Sequence, residues 1–162
     1  GKTQISEAKS VAVKEINEGF EAASNGWSAV FGGKASIVSS SPAEGKFCLQ
    51  ISGRTSINSG AAVQLGAQLQ GGKSYSLNAK LRVGSASGKS ASTQLWLMFN
   101  DTRGAQKVNL GSVAMPTGVW AGLTAGFNVY SVGAITSAQI VVSGPAVGQD
   151  IFVDAVKLSV VK

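Results

Sequence analysis

The chain has 162 residues, 21 of them glycine and three proline, and its 14 lysines and arginines outnumber its eight acids to give a formal net charge of +6. That length suits one domain with a real core and is short for two. Histidine is absent and Cys48 is the single cysteine, which excludes histidine-based triads, histidine-ligated metals, internal disulfides and cysteine zinc clusters. No run of about 18 apolar residues occurs, so no membrane-spanning helix and no membrane partner are expected. The basic residues never form a run of three, so a nucleic-acid arm is not expected either. They leave a weak preference for anionic partners beside the plainer role of a solubilising surface. The chain opens at Gly1 with neither a methionine nor a basic, apolar, small-residue leader pattern, and reads as a mature protein or a module of a longer chain.

Residues 1–15 read as a linker or short helix, because "SEAKSVAVKEI" (Ser6–Ile16) is the one stretch with helix-forming Ala, Lys and Glu content. From residue 16 to 162 short period-two segments alternate with turns. They are "FCLQIS" (Phe47–Ser52), "SYSLNAKLRV" (Ser74–Val83), "STQLWLMFN" (Ser92–Asn100), "KVNLGSV" (Lys107–Val113), "WAGLTAGFNVY" (Trp120–Tyr130), "SAQIVVS" (Ser137–Ser143) and "DIFVDAVKLSV" (Asp150–Val160). The segments between them, such as "SSSPAEG", "INSG", "QGGK" and "SGPAVG", are rich in the Gly, Ser, Pro and Asn that turns require. This spacing predicts an all-β fold, a single antiparallel β-sandwich.

In a sandwich each strand turns one face to the core and the other to water. Parity puts Cys48, Gln50, Ser52 and Arg54 outward in one strand, opposite Leu49 and Ile51. It does the same for Ser76, Asn78, Lys80 and Arg82, for Gln94, Trp96, Met98 and Asn100, and for Gln139, Val141 and Ser143. An outward tryptophan among amides suits a sugar, whose C–H face stacks on the ring while its hydroxyls bridge the amides. The expected binding set is Trp96 at the centre with Arg54, Gln50, Asn78, Gln94, Met98 and Gln139 around it. The plainer alternative is a Trp96 covered by a neighbouring loop. In the last strand, alternation groups Asp154 with the apolar Phe152, Val156, Leu158 and Val160. A carboxylate on a buried face needs a charge partner, several hydrogen bonds or a metal ion. Trp27 and Trp120 are expected to be packing residues, although Trp27 opens the glycine-flanked "NGWSAVFGG" and could rim a cleft, and the loops around Trp27 and Phe31 are the second place for a site if Trp96 is not the platform. Cys48 is expected to be a free thiol without a role.

Six local patterns, in order, resemble one family: "NEGFE" (Asn17–Glu21), "NGW" ending at Trp27, "GKFCLQISGRT" (Gly45–Thr55), "LQGGKSYSLNAKLRV" (Leu69–Val83), "GVWAGLTAGFNV" (Gly118–Val129) and "SGPAVGQDIFVDAVKL" (Ser143–Leu158). They look like carbohydrate-binding modules of the family 4, 9 and 22 type. The resemblance implies a jelly-roll, galactose-binding-like sandwich appended to a secreted polysaccharide-degrading enzyme. It further implies a plant or algal type glycan of the β-glucan or xylan class as partner, and a monomeric module within a larger chain. It also implies a structural calcium, held by the carboxylates of Glu21 and Asp154 and by backbone carbonyls at Gly19 and Lys46; six to eight oxygens of this kind suit that ion. Two departures stand out. Where such modules carry a stacking aromatic after the arginine, this chain has Ile57, Asn58 and Ser59, and where they carry an aromatic and a glutamate before Gly-Pro, it has Val141 and Ser143.

Catalysis is not expected. Glycoside hydrolysis needs two carboxylates facing each other across a cleft, and none of the eight acids falls on the outward positions above. A lyase built on Arg54, Lys80 and Tyr130 has nothing to bring Tyr130 to the other two. The alternatives to a neutral-glycan module are a structural or adhesion sandwich that binds no glycan, and a binder of acidic polysaccharides favoured by Arg54, Lys80 and Arg82.

Overall fold

The computed structural model describes residues 16–21, 26–39, 41–65, 69–84, 90–144 and 149–161. The expected linker or helix over residues 1–15 lies outside the described residues. Eleven strands follow in chain order: β1 (Ile16–Glu18), β2 (Trp27–Val30), β3 (Lys34–Val38), β4 (Cys48–Ser52), β5 (Gly60–Gln64), β6 (Ser74–Val83), β7 (Ser90–Asp101), β8 (Gly104–Pro116), β9 (Ala121–Asn128), β10 (Ser137–Ser143) and β11 (Ile151–Val160). One sheet runs β3-β4-β11-β6-β9, with β1 also paired to β11; the other runs β2-β5-β10-β7-β8. All pairings are antiparallel. The all-β sandwich reading is therefore correct.

The core lies between the two sheets and is filled by alternate residues of each strand. Leu49 and Ile51 of β4, Tyr75, Leu77 and Leu81 of β6, Leu95, Leu97 and Phe99 of β7, and Ile140 and Val142 of β10 are all buried in one cluster. Trp27 belongs to it and meets Phe20 edge-on at 5.8 Å, an arrangement that suits the opposed charge of ring face and ring edge. Trp120 is instead half-buried, with its indole N–H donating to the Ser41 carbonyl at 2.7 Å.

The strands that local pattern does not reveal are β1, β2, β3 and β5. β5 reads Gly-Ala-Ala-Val-Gln, poor in the β-branched and aromatic residues that mark strands. It is nevertheless the central partner of β2 and β10. Its small residues answer to crowding: a Cβ on Gly60 would come within 1.7 Å of the Val142 carbonyl oxygen.

The last strand corrects the parity argument. Its register against β6 shifts between Asp154 and Lys157, where Ala155 takes a φ of 49°. This bulge swaps the faces. Before it, Ile151 and Val153 enter the core; after it, Val156 and Leu158 do. Asp154 stands opposite Lys80 and so points away from the core, on the outer side of the sheet. It is nonetheless 0 % exposed, because the segment before β4 covers it.

Candidate functional site

The outer face of the β2-β5-β10-β7-β8 sheet carries a groove. Trp96 and Met98 leave β7 on this side, and the pairing of β10 brings Gln139 beside Met98 and Val141 beside Trp96. From β5, Gln64 pairs with Gln139; from β8, Lys107 pairs with Met98. Two hollows result. The larger, about 460 Å³, is lined by Gln64, Met98, Asn100, Lys107, Ser137 and Gln139, among others. The smaller, about 190 Å³, is lined by Phe31, Asn58, Trp96, Met98, Lys107 and Val141, with Ser143. Met98 and Lys107 border both, so the two form one track along the sheet.

Local bonds hold the polar groups of this track in place. The Trp96 indole N–H donates to Ser143 Oγ at 3.1 Å, which fixes the ring. Gln64 Nε2 donates to Gln139 Oε1 at 2.6 Å, Gln139 Nε2 approaches Met98 Sδ at 3.6 Å, and Asn100 Nδ2 donates to Ser137 Oγ at 2.7 Å. Such a row of planar amides offers donors and acceptors spaced along a flat floor, which is what a polyhydroxylated chain requires. Among the described residues no aspartate or glutamate lines either hollow, so these residues do not supply the carboxylate pair that glycoside hydrolysis uses.

Of the expected binding set, the structure brings together Trp96, Met98 and Gln139. Gln94 leaves β7 on the same side and stands opposite Ser143, but lines neither hollow. Gln50 and Asn78 lie on the other sheet and face the opposite side of the sandwich. Gln50 Nε2 donates to Asp150 Oδ2 at 2.8 Å, and Asn78 Oδ1 accepts from Thr124 Oγ1 at 2.6 Å. Parity had sorted side chains into inward and outward; it carries no information about which sheet a strand joins. Arg54 is also misplaced by that argument. It lies beyond the end of β4, is only 5 % exposed, and donates to the carbonyls of Ser59 (2.8 Å), Gln149 (2.9 Å), Ser56 (3.2 Å) and Ile57 (3.4 Å). It therefore ties the 54–59 loop to the start of β11 rather than facing the groove.

That loop brings Phe31, expected only as part of a second site, to the Trp96 groove. Ser59 Oγ donates to the Phe31 carbonyl and accepts the N–H of Thr55 (3.2 Å) and Ser56 (3.1 Å). Phe31 is thereby held at a φ of 57°, uncommon for a residue with a side chain, with its ring 53 % exposed at the end of the smaller hollow. The sequence singles out this loop by its aromatic before Gly32-Gly33 but carries no sign that it lies beside Trp96.

A separate cluster lies on the opposite sheet, beneath residues 41–47. Asp154 accepts from the Glu44 N–H at 3.0 Å and the Ala155 N–H at 2.8 Å, and Glu21 accepts from the Lys46 N–H at 2.8 Å and the Phe47 N–H at 3.0 Å. Burial pushes the Asp154 carboxyl above its usual range, and the Glu21 charge adds to the rise. Gly45 has a φ of +64° and a Cβ there would sit 2.5 Å from Glu21 Oε1, so the turn closes on the carboxylate only with glycine. Gly19 precedes Phe20, whose N–H donates to Glu18 at 2.7 Å. Lys46 enters the cluster through its N–H. Cys48 is buried and free beside this cluster, its thiol pushed up by desolvation and by the Asp154 charge. Arg54, Lys80 and Tyr130 do not converge: Arg54 is engaged as above, Lys80 is exposed on β6, and Tyr130 lies against Arg103 with its ring 5.2 Å from the guanidinium.

Solved structures with the same architecture include the CBM22-1 xylan-binding domain of Paenibacillus barcinonensis Xyn10C, 19% identical, covering 94% of this chain and 98% of that one with a TM-score of 0.81. The C-terminal family 22 carbohydrate binding module of Clostridium thermocellum Xyn10B is 17% identical, covers 90% and 92% of the two chains, and has a TM-score of 0.80. Among curated proteins, a peptidyl-Asp metalloendopeptidase of Pseudomonas aeruginosa is 29% identical over 149 residues, which are 91% of this chain and 24% of the relative. The chain thus spans about a quarter of that relative's length. The family model described as a carbohydrate binding domain matches residues 15–148, and with that match the chain belongs to this family of carbohydrate binding domains.

Proposed function

We propose that the chain is a non-catalytic polysaccharide-binding module that takes a plant or algal type glycan of the xylan or β-glucan class along the Trp96 groove. The single observation that carries this reading is the groove itself, a fixed tryptophan beside a row of amides with no carboxylate among its described lining residues. The same architecture serves a xylan-binding domain in Paenibacillus barcinonensis, which supports the xylan class. We also propose that the module belongs to a longer secreted chain whose chemistry resides elsewhere, as its coverage of a quarter of a metalloendopeptidase suggests.

The test is binding of xylohexaose and of a soluble β-glucan to the wild type and to Trp96→Ala, by calorimetry, with folding checked by melting temperature. Loss of the ring is expected to cost a few kcal/mol, the scale of a binding hot spot. Unchanged affinity in folded Trp96→Ala would refute the site. Absence of binding to any glycan by the wild type would favour the structural or adhesion module instead.

A calcium ion at Glu21 and Asp154 remains part of the proposal. The donor set fits: the Glu21 carboxylate lies close enough to add to the rise of the Asp154 carboxyl, Asp154 is fully buried, and no ion pair to it is present among the described residues. Asp154 accepts backbone N–H groups from Glu44, Ala155 and Ala43, and each Glu21 oxygen accepts one, which leaves lone pairs for a cation. Among the described residues no three acidic, cysteine or histidine side chains gather, so backbone carbonyls would supply the remaining oxygens. A bound ion would neutralise the two charges and fasten residues 41–47 to β11.

A further inference from the structure

Lys107 occupies an unexpected place. It leaves β8 opposite Met98 and its Nζ lies 4.1 Å from the centroid of the Trp96 ring. Both residues border the smaller hollow, so the ammonium rests on the groove side of the very ring that would stack a sugar. The ring cannot turn away freely, because its N–H is tied to Ser143 Oγ. Lys107 is also the one ionisable side chain among the described residues lining either hollow.

These facts set two different requirements for two kinds of ligand. A neutral sugar gains the Trp96 face only by displacing the ammonium, and it forfeits the cation–π attraction without offering Nζ a comparable partner. A sugar bearing an anionic group offers Nζ a charge-assisted hydrogen bond as the ring is uncovered. The same groove still provides Gln64, Asn100 and Gln139 for hydroxyls, and among the described residues no aspartate or glutamate lines it to repel an anion.

We infer that Lys107 is a specificity-determining residue that makes the Trp96 groove select glycans carrying an anionic substituent, a uronate carboxylate or a sulfate, on the sugar at Trp96. The inference rests on the proposed glycan site and narrows its ligand. It differs from attraction by the overall charge of +6, because it places the preference on one side chain.

The experiment compares three probes at low ionic strength by calorimetry: a neutral xylo-oligosaccharide, the same backbone with a glucuronate branch, and a sulfated xylo-oligosaccharide. The wild type is expected to bind at least one acidic probe about tenfold tighter than the neutral one, the effect of one hydrogen bond to a charged group. Whichever acidic probe is preferred names the source of the anion. Lys107→Met should abolish the preference and bind the neutral probe several-fold tighter, since the ring is then uncovered. Lys107→Arg should keep the preference. Lys80→Met, which removes an exposed charge from the opposite sheet, should leave it intact. Equal binding of all three probes by the wild type would overturn the inference while leaving the glycan site standing. So would a preference that survives Lys107→Met, or one that Lys80→Met reduces equally. Binding of none of the probes would remove the glycan site and this inference with it.

Discussion

Asp154→Asn tests the buried carboxylate directly. Asp154 is 0 % exposed, and desolvation together with the Glu21 charge raises its pKa in the folded chain. In the unfolded chain an aspartate titrates near 3.9. Between those two values the folded protein holds a proton that the unfolded one has released. Without calcium, the contribution of Asp154 is therefore most favourable below the unfolded pKa and is lost as pH rises through the folded pKa. The slope in that window is about 1.4 kcal/mol per pH unit, or about 3–5 °C of melting temperature per pH unit for a chain of this size. Calcium reverses the sign, because the cation binds only the ionised carboxylate. At a hundredfold excess over its Kd it adds about 2.7 kcal/mol, about 5–11 °C. Asparagine cannot ionise, so this slope and the calcium shift should both vanish in Asp154→Asn. Asparagine also turns an N–H toward one of the backbone donors at Glu44 or Ala155, a cost of about 1–3 kcal/mol. The quantity to read is therefore the slope with pH, not the absolute melting temperature. Melting curves from pH 4 to 7, in chelator and in calcium, supply it. A wild-type profile identical in the two media would refute the cation. An Asp154→Asn profile with the wild-type slope in chelator would refute the desolvation argument.

Gln50→Ala and Asn78→Ala should leave glycan affinity unchanged, since both face the opposite side of the sandwich; a loss in either, measured by affinity electrophoresis, would return the site to that sheet. Arg54→Met should cost at least about 3 kcal/mol in urea unfolding, because four backbone carbonyls lose a charged donor. Phe31→Gly should act with opposite signs, gaining about 1 kcal/mol of stability by relieving the left-handed backbone and weakening glycan binding several-fold through loss of the exposed ring. Cys48 should resist a thiol reagent in the folded protein and react on unfolding, as its burial and raised pKa require.

By itself the sequence determined the class of fold and most of its longer strands. β7 buries alternate residues from Thr93 to Asp101 and β6 does so from Tyr75 to Leu81, and a period-two pattern with glycine-rich turns admits few other architectures. It also singled out Trp96, Met98 and Gln139, which share a face because they lie on neighbouring strands. Tertiary structure alone decided the rest. Gln50 and Asn78 have the same outward parity as Trp96, yet strand pairing sends them to the other sheet. The bulge at Ala155 turned Asp154 from the core side to the outer side, and only the covering residues 43–47 bury it there. Lys107 lies over Trp96 and Phe31 shares its hollow because of a strand pairing and a loop placement that no local pattern specifies. Alternation along a strand follows from local backbone geometry and is written residue by residue. Which strands become neighbours, and where a register slips, follow from packing the whole core at once, over contacts far apart in the chain.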